Sequence, residues 1–356
     1  MKIARSSKTT LKFATRKKRE LLERIMKEYS RVVNIFIEMF WGNPFTRQML
    51  LAPVINAPET WLSARMRQCA AREALGMIDC AEESAKVKGT VPIKPVHTGQ
   101  KMILSAQVVK IEKGRNSFDL WLVLSSIGEG IKIYLPLKRH RHFNFFANWK
   151  MSNSVVIHQN DVQFSFEIET GPKKNAGPQI GIDVGINHLL ATSEGELLGS
   201  EVRLLIQKIK NKRQGSKAYQ KAKKTLSYYL HKTVKEFFKT HDLLLVVVEH
   251  LQGLKQGKQP NRGKEFRKTL SNWNYRELLD IIQMRTEENR VCFRSVNPYK
   301  TSQQCPICSH TERGNRSNEK FCCLRCGYSE QADLVGARNI LDRFISGQYG
   351  AAFQAT

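Results

Sequence analysis

The last fifth of the chain carries the feature that most restricts its fold: the knuckles Cys305-Pro306-Ile307-Cys308 and Cys323-Leu324-Arg325-Cys326-Gly327. Each Cys-x-x-Cys turn points its two sulfurs the same way, so the four thiolates converge on one tetrahedral ion. Four thiolates leave zinc no open position, so a structural Zn²⁺ is expected at Cys305, Cys308, Cys323 and Cys326. Cys322 is an extra thiol, and the spacing to Cys326 favours Cys323 as the ligand. Cys69, Cys80 and Cys292 read as small buried hydrophobes. The clustering indicates metal in a reducing cytosol rather than a disulfide framework, so the expected location is cytoplasmic.

At 356 residues the chain can form two or three domains with a substantial core. Its 58 Lys and Arg against 32 Asp and Glu give a formal charge of +26. A protein this basic repels itself unless it meets a polyanion, so nucleic acid is the expected partner. No membrane partner is expected. The longest apolar run, residues 243–248, is too short to span a bilayer, and the N-terminus lacks the apolar core of a signal peptide. The sequence leaves the oligomeric state open.

Residues 2–16 begin as an alternating strand and turn basic. Residues 17–88 carry helical periodicity through Leu22, Ile25, Met26, Tyr29, Val32, Val33 and Phe36, punctuated by Asn43-Pro44 and Ala52-Pro53. After Gly89 come short alternating runs at 102–111, 118–124, 130–135, 154–158 and 162–169, which predict a small antiparallel β-barrel. The opening strand is expected to join it. The barrel would thus comprise 1–16 and 89–170, with 17–88 a helical insertion. A Gly- and Pro-rich linker, 171–178, precedes an α/β pattern. There a strand at 179–184 and a hairpin around Glu194-Gly195 lead to one long basic helical stretch, 201–240. A buried strand at 243–248, a helix at 273–288 and a strand at 292–296 follow.

Three acids stand out by placement. Asp183 ends an apolar strand, Glu249 ends another, and Asp333 opens a helix containing Val335, Ala337 and Ile340. Ionised carboxylates are costly against apolar surroundings unless paired or bound to metal. Taken singly, each has a bland reading as a turn, strand-end or capping acid. Together they suit phosphodiester hydrolysis, in which two Mg²⁺ or Mn²⁺ ions held by oxygen ligands activate water and stabilise the leaving oxygen.

The ordered set closely resembles the split RuvC-like nuclease of the TnpB proteins and of their relatives, the compact type V CRISPR effectors. The matching residues are Gly181-Ile182-Asp183-Val184-Gly185, Glu249, Thr301-Ser302-Gln303 before the first knuckle, Phe321 before the second, and Ala332-Asp333 with Ala337-Arg338-Asn339-Ile340. The resemblance is specific over about 179–345 and architectural upstream. Family members often show Asn and Ala shortly after the third acid, where this chain has Val335 and Gly336.

The resemblance implies a multidomain α/β chain. An RNase H-like (RuvC) nuclease at 179–300 and 330–345 would hold an inserted four-cysteine zinc ribbon at 301–329. It would follow the N-terminal β-barrel with its inserted helical recognition domain and precede a tail at 346–356. The implied function is an RNA-guided DNA endonuclease that cleaves double-stranded DNA. Its partners would be a guide RNA and target DNA, its catalytic metal ligands Asp183, Glu249 and Asp333, and its cofactor Mg²⁺ or Mn²⁺. Arg338, near a turn and a half past Asp333, is a candidate phosphate contact. The division of labour is physical: the guide reads sequence by pairing while the protein grips backbone through positive charge.

Lys208, Lys210, Lys212, Arg213, Lys217, Lys221 and Lys224 crowd one region almost free of acids, which favours nucleic-acid contact over a solvated face. Arg262, Lys264 and Arg267 sit in a Gly- and Lys-rich loop after Glu249. Lys138-Arg139-His140-Arg141-His142 precedes Phe143, Phe145, Phe146 and Trp149, a mixture suited either to stacking on nucleotides or to core packing. Two alternatives remain: a guided repressor with an inactive pocket, and a guide-free structure-specific nuclease.

Overall fold

The computed structural model describes residues 1–114, 117–251, 273 and 275–347. Two compact units divide the chain, one of Lys2–Glu169 and one running from Thr170, which also takes in Met1.

In the first unit, β1 (Lys2–Thr10) leads into α1 (Arg16–Phe40). Leu22, Ile25, Met26, Tyr29, Val32, Val33 and Phe36 of α1 are buried, as the spacing predicts. A short α2 (Ala52–Asn56) separates it from α3 (Ala64–Lys88). Ser63 caps α3 by accepting from the Met66 N–H, and Gly89 closes it at φ +64°. The strands are β2 (Lys101–Leu104), β3 (Val109–Lys113), β4 (Leu120–Leu124) and β5 (Ile133–Leu137). After a single helical turn, α4 (Arg141–Asn144), come β6 (Lys150–His158) and β7 (Asp161–Glu169).

Strand β1 pairs antiparallel with β7 along its whole length, from Lys2 opposite Glu169 to Thr10 opposite Asp161. The helices are therefore inserted between two strands that are neighbours in space. The sheets run β1-β7-β6-β2 and β3-β4-β5 and share one core with α1 and α3. Pairing among the described residues gives two sheets rather than a closed ring. The single strand expected at 102–111 is two strands in different sheets. The Ser105 carbonyl accepts from the Val108 and Val109 N–H groups (3.0 and 3.2 Å) and turns the chain. Apolar residues continue on both sides of that turn, so alternation alone hides it.

A buried carboxylate ties the helices to β2. Glu73 Oε2 accepts from the Tyr29 hydroxyl at 3.0 Å and from the Ile103 N–H at 3.1 Å. Burial raises the Glu73 carboxyl, but His97, Ile103 N–H and Tyr29 outweigh it and hold the group below its ordinary value.

The second unit is built on a five-stranded sheet. Its strands are β8 (Gln179–Asp183), β9 (Leu190–Thr192), β10 (Leu197–Leu198), β11 (Leu245–Glu249) and β12 (Cys292–Val296), ordered β10-β9-β8-β11-β12. Strands β8, β11 and β12 are parallel; β9 runs against β8. Four successive residues of β11 are buried, as expected for a central strand covered on both faces.

The expected long basic helix is two helices, α5 (Val202–Lys210) and α6 (Lys217–Thr240). Gly215 at φ +81° and the Ser216 cap on the Tyr219 N–H separate them. Helix α7 (Tyr275–Glu288) precedes β12. A small sheet of β13 (Arg316–Ser317), β14 (Lys320–Cys322) and β15 (Ser329–Gln331) follows, and α8 (Ala332–Ile345) ends the described chain. Residues of 171–178, expected as a linker, are held in this unit: the Lys174 N–H donates to Arg290 O at 2.8 Å, and Pro178 O accepts from Leu244 N–H at 2.9 Å. No described helix is long and apolar enough to cross a membrane.

Candidate active site

Sheet register builds the first half of the site. Val248 of β11 lies opposite Ile182 of β8, so Asp183 and Glu249 end adjacent parallel strands on the same edge. The ends of parallel strands are where open α/β sheets gather ligands. Helix α8 supplies the third acid. It packs across β8, β9, β11 and β12, and Asp333 in its first turn is only 7 % exposed. Two glycines allow that approach. A Cβ on Gly181 would clash with the Ala337 carbonyl of α8, and one on Gly336 would lie 2.8 Å from Asp183 Oδ2. An alanine there would press on this carboxylate, which gives Gly336 its physical reason.

The electrostatics follow from that crowding. Burial first, then the charges of Glu249 and Asp333, push Asp183 well above the ordinary carboxylate range, with Arg316 opposing. Glu249 is also raised by burial, against the Thr301 hydroxyl bond and the charges of Arg343 and Arg316. Asp333 is surrounded by donors. Arg316 Nη2 lies 2.9 Å from its Oδ1, while Gln331 Nε2 and His188 Nδ1 lie 3.3 and 3.7 Å from its Oδ2. The Asp333 and Leu334 N–H groups donate to Gln331 Oε1, which fixes the start of α8.

Partly buried oxygen donors whose charges oppose one another suit a hard divalent cation such as Mg²⁺ or Mn²⁺. Asp183, Glu249 and Asp333 would hold it.

The thiols form a separate centre. Cys305, Cys308, Cys323 and Cys326 place their sulfurs within 4.8 Å of one another, the one such set of donors among the described residues. Cys305 and Cys326 are 3.6 Å apart, Cys308 and Cys323 3.5 Å. Sulfurs at ~2.3 Å from a tetrahedral ion would be ~3.8 Å apart, so the cluster fits zinc. Burial raises the Cys323 thiol, but the Cys326 and Arg325 N–H groups and neighbouring thiols bring it down to about 6. The Tyr328 N–H lowers the Cys326 thiol, whereas burial and the other three thiols push it up to about 12. A cation among the sulfurs would relieve the opposition that raises Cys326. Cys322 is exposed and outside the set. Asn315 braces the fold of this segment: its side-chain amide donates to Gln303 O and His310 O and accepts from the Leu324 N–H.

The remaining sequence candidates lie elsewhere. Arg338 is committed within the protein. It donates to Glu330, to the Tyr328 hydroxyl (2.6 Å) and to Ser193 O (3.4 Å). Its guanidinium is neutralised by Glu330 rather than free for phosphate. Lys208, Lys212, Arg213, Lys217, Lys221 and Lys224 are exposed and Lys210 is half-buried. Helix α6 turns Leu226, Leu230, Val234 and Phe237 inward and its lysines outward. Arg262, Lys264 and Arg267 lie outside the described residues. Sequence reasoning missed Arg316, Thr301 and Arg343 as neighbours of the acids; it placed His188 close to Asp183 but read it as structural. Thr301 opens the quoted Thr-Ser-Gln motif and had that signal; a lone arginine between two knuckles had none.

A model of the Cas12f1-like TNB domain family matches residues 275–340. The CRISPR-associated endodeoxyribonuclease Cas12f1 of Syntrophomonas palmitatica is 30 % identical over 96 residues, 27 % of this chain and 18 % of that protein. A TnpB-like protein of Methanocaldococcus jannaschii is 24 % identical over 232 residues, 56 % of this chain and 82 % of that protein. Among solved structures, a Cas12f1–sgRNA–target DNA complex aligns with a TM-score of 0.55 at 15 % identity, covering 92 % of this chain and 83 % of the Cas12f1 chain. The chain thus spans under a fifth of the Cas12f1 relative's length while sharing its kind of fold. Over these stretches the chain is similar to TnpB-like proteins and to compact type V effectors.

Proposed function

We propose that the chain is an RNA-guided DNA endonuclease with a RuvC-like site formed by Asp183, Glu249 and Asp333. What supports this reading is that Asp183 and Glu249 end adjacent parallel strands and Asp333 opens the helix packed across them, so that Asp183 feels the charges of both others. A divalent ion pair, when bound there, would lower the pKa of the attacking water and stabilise the leaving oxygen. The protein's own residues would hold and orient that pair. Thr301 fixes Glu249 by donating to its Oε1, and Arg316 offsets the charge of Asp333. The thiol cluster has the structural role, and Zn²⁺ is its ion.

The nuclease would comprise 179–300 and 330–345, with the zinc ribbon at 301–329 and the two-sheet and helical recognition regions upstream. The named activity of the Cas12f1 relative and the RNA and DNA in the matching complex support a guide RNA and double-stranded DNA as partners. The charge of +26 supports them independently.

The test is to purify the full chain, sequence the RNA that travels with it, and offer a matching plasmid with Mg²⁺ or with EDTA. Cutting with Mg²⁺ alone, lost in Asp183→Ala while RNA stays bound, is the expected result. Guided binding without cutting would make the protein a repressor; cutting after the RNA is stripped would make it a guide-free nuclease.

A further inference from the structure

In the first unit, the β3-β4-β5 sheet has one face in the core cluster and a second on which Val123 and Pro136 are buried while Trp121 and Tyr134 keep solvent access. Leu120, Leu122 and Leu124 of β4 are buried. Trp121 points the other way, opposite Glu112 and Pro136. It begins a row of rings outside the core cluster. Trp121 meets Phe118 edge to face at 5.5 Å, and Phe118 meets Phe13 the same way at 5.6 Å. All three keep solvent access, and Tyr134 on the same sheet face is 40 % exposed.

Lysines lie on these rings. Lys12 and Lys138 are 4.9 and 5.6 Å from the Phe13 centroid, Lys18 is 5.5 Å from Trp121, and Lys132 is 5.1 Å from Tyr134. Such contacts are attractive through the ring quadrupole. Four lie in this one neighbourhood. Among the described residues none of Lys12, Lys132 and Lys138 has a carboxylate partner. Their ammonium groups rest on π-faces, a weak counter-surface that a phosphate displaces.

We propose that this face is a stacking site for unpaired nucleotides of a bound RNA. The inference rests on the reading that the chain carries RNA, and it adds where and how the RNA is held. On binding, the lysines leave the rings for the phosphates, and the exposed faces take bases. Bases in a duplex have no free faces to offer, so the occupant is a loop, bulge or single-stranded end.

Zero-length ultraviolet crosslinking of the intact RNA-loaded chain, mapped by mass spectrometry, reads the site without any substitution. Crosslinks at Phe13, Phe118, Trp121 or Tyr134 are expected. In parallel, a Lys12→Gln, Lys132→Gln, Lys138→Gln variant is titrated with the RNA across a salt series. Each lost single-strand phosphate contact removes ~0.7 from the slope of log affinity against log salt, so a fall of about 2 is expected. RNA that crosslinks only elsewhere, with an unchanged slope, overturns the proposal and leaves a satellite packing cluster. Crosslinks at these rings that form only when DNA is added overturn it too. A chain that holds no RNA overturns this inference and the proposed function together, whereas RNA held elsewhere overturns this inference alone.

Discussion

The four thiols and the three acids share one unit, yet they are assembled by opposite routes. The thiols come in two short knuckles, each of which sets its own geometry, and the Asn315 side chain bridges the segments that carry them. The acids come from residues 183, 249 and 333, and no local turn relates them. Parallel register aligns Asp183 with Glu249, and helix packing delivers Asp333. A bound ion would therefore let the thiols hold a local fold, while the acids depend on a global fold to bring charges together at a cost. Breaking each centre should give different signatures.

The largest expected effect is on chemistry. Asp183→Ala should lower DNA cleavage by ~10³-fold or more, a loss of ~4 kcal/mol of transition-state stabilisation, while melting temperature holds or rises. Kinetics of plasmid cutting beside a thermal melt check both halves. The Cys323→Ser, Cys326→Ser variant should do the reverse: zinc measured by elemental analysis disappears and folded yield drops, because binding and local folding are coupled. A soluble, zinc-free, fully active variant would sink the contrast.

Gly181→Ala tests the packing that delivers Asp333. Its Cβ meets the Ala337 carbonyl of α8, and overpacking of this kind costs about 1–3 kcal/mol in denaturant unfolding. The acid site also makes a pH prediction. Asp183 and Glu249 are both raised on folding. Their contribution to metal-free stability is fully present below the unfolded carboxylate value, about 4, and is lost as pH rises through the folded value. In EDTA at neutral pH, Asp183→Asn should therefore melt higher than the parent by about 2–4 °C. The advantage should vanish near pH 4, and added Mg²⁺ should reverse it. The smallest effect is expected from Gly336→Ala, whose Cβ would lie 2.8 Å from Asp183 Oδ2. A several-fold rise in the Mg²⁺ concentration needed for half-maximal cutting, with little change in stability, would place the strain at the carboxylate.

Much of the fold was legible in residue pattern. The periodicity of α1 recorded its buried face, and the four apolar residues of β11 recorded a strand covered on both sides. Pattern failed where a break carries no apolar signature. Ser105 turns the chain while alternation continues, and residues 211–216 interrupt a stretch that stays lysine-rich throughout. Within the site, the acids stood out because charges interrupt apolar strands. Arg316 and Arg343 carried no such contrast and became neighbours only through folding.

The sequence alone determined the thiol centre, since a Cys-x-x-Cys turn fixes its sulfurs within four residues. It also determined the excess positive charge, which no conformation alters. The tertiary structure decided the rest: that Arg338 spends its charge on Glu330, that Arg316 faces Asp333, and that glycines at 181 and 336 let α8 settle against β8. Those are outcomes of packing between segments far apart in the chain, where the energy of a group depends on neighbours that spacing along the chain cannot specify.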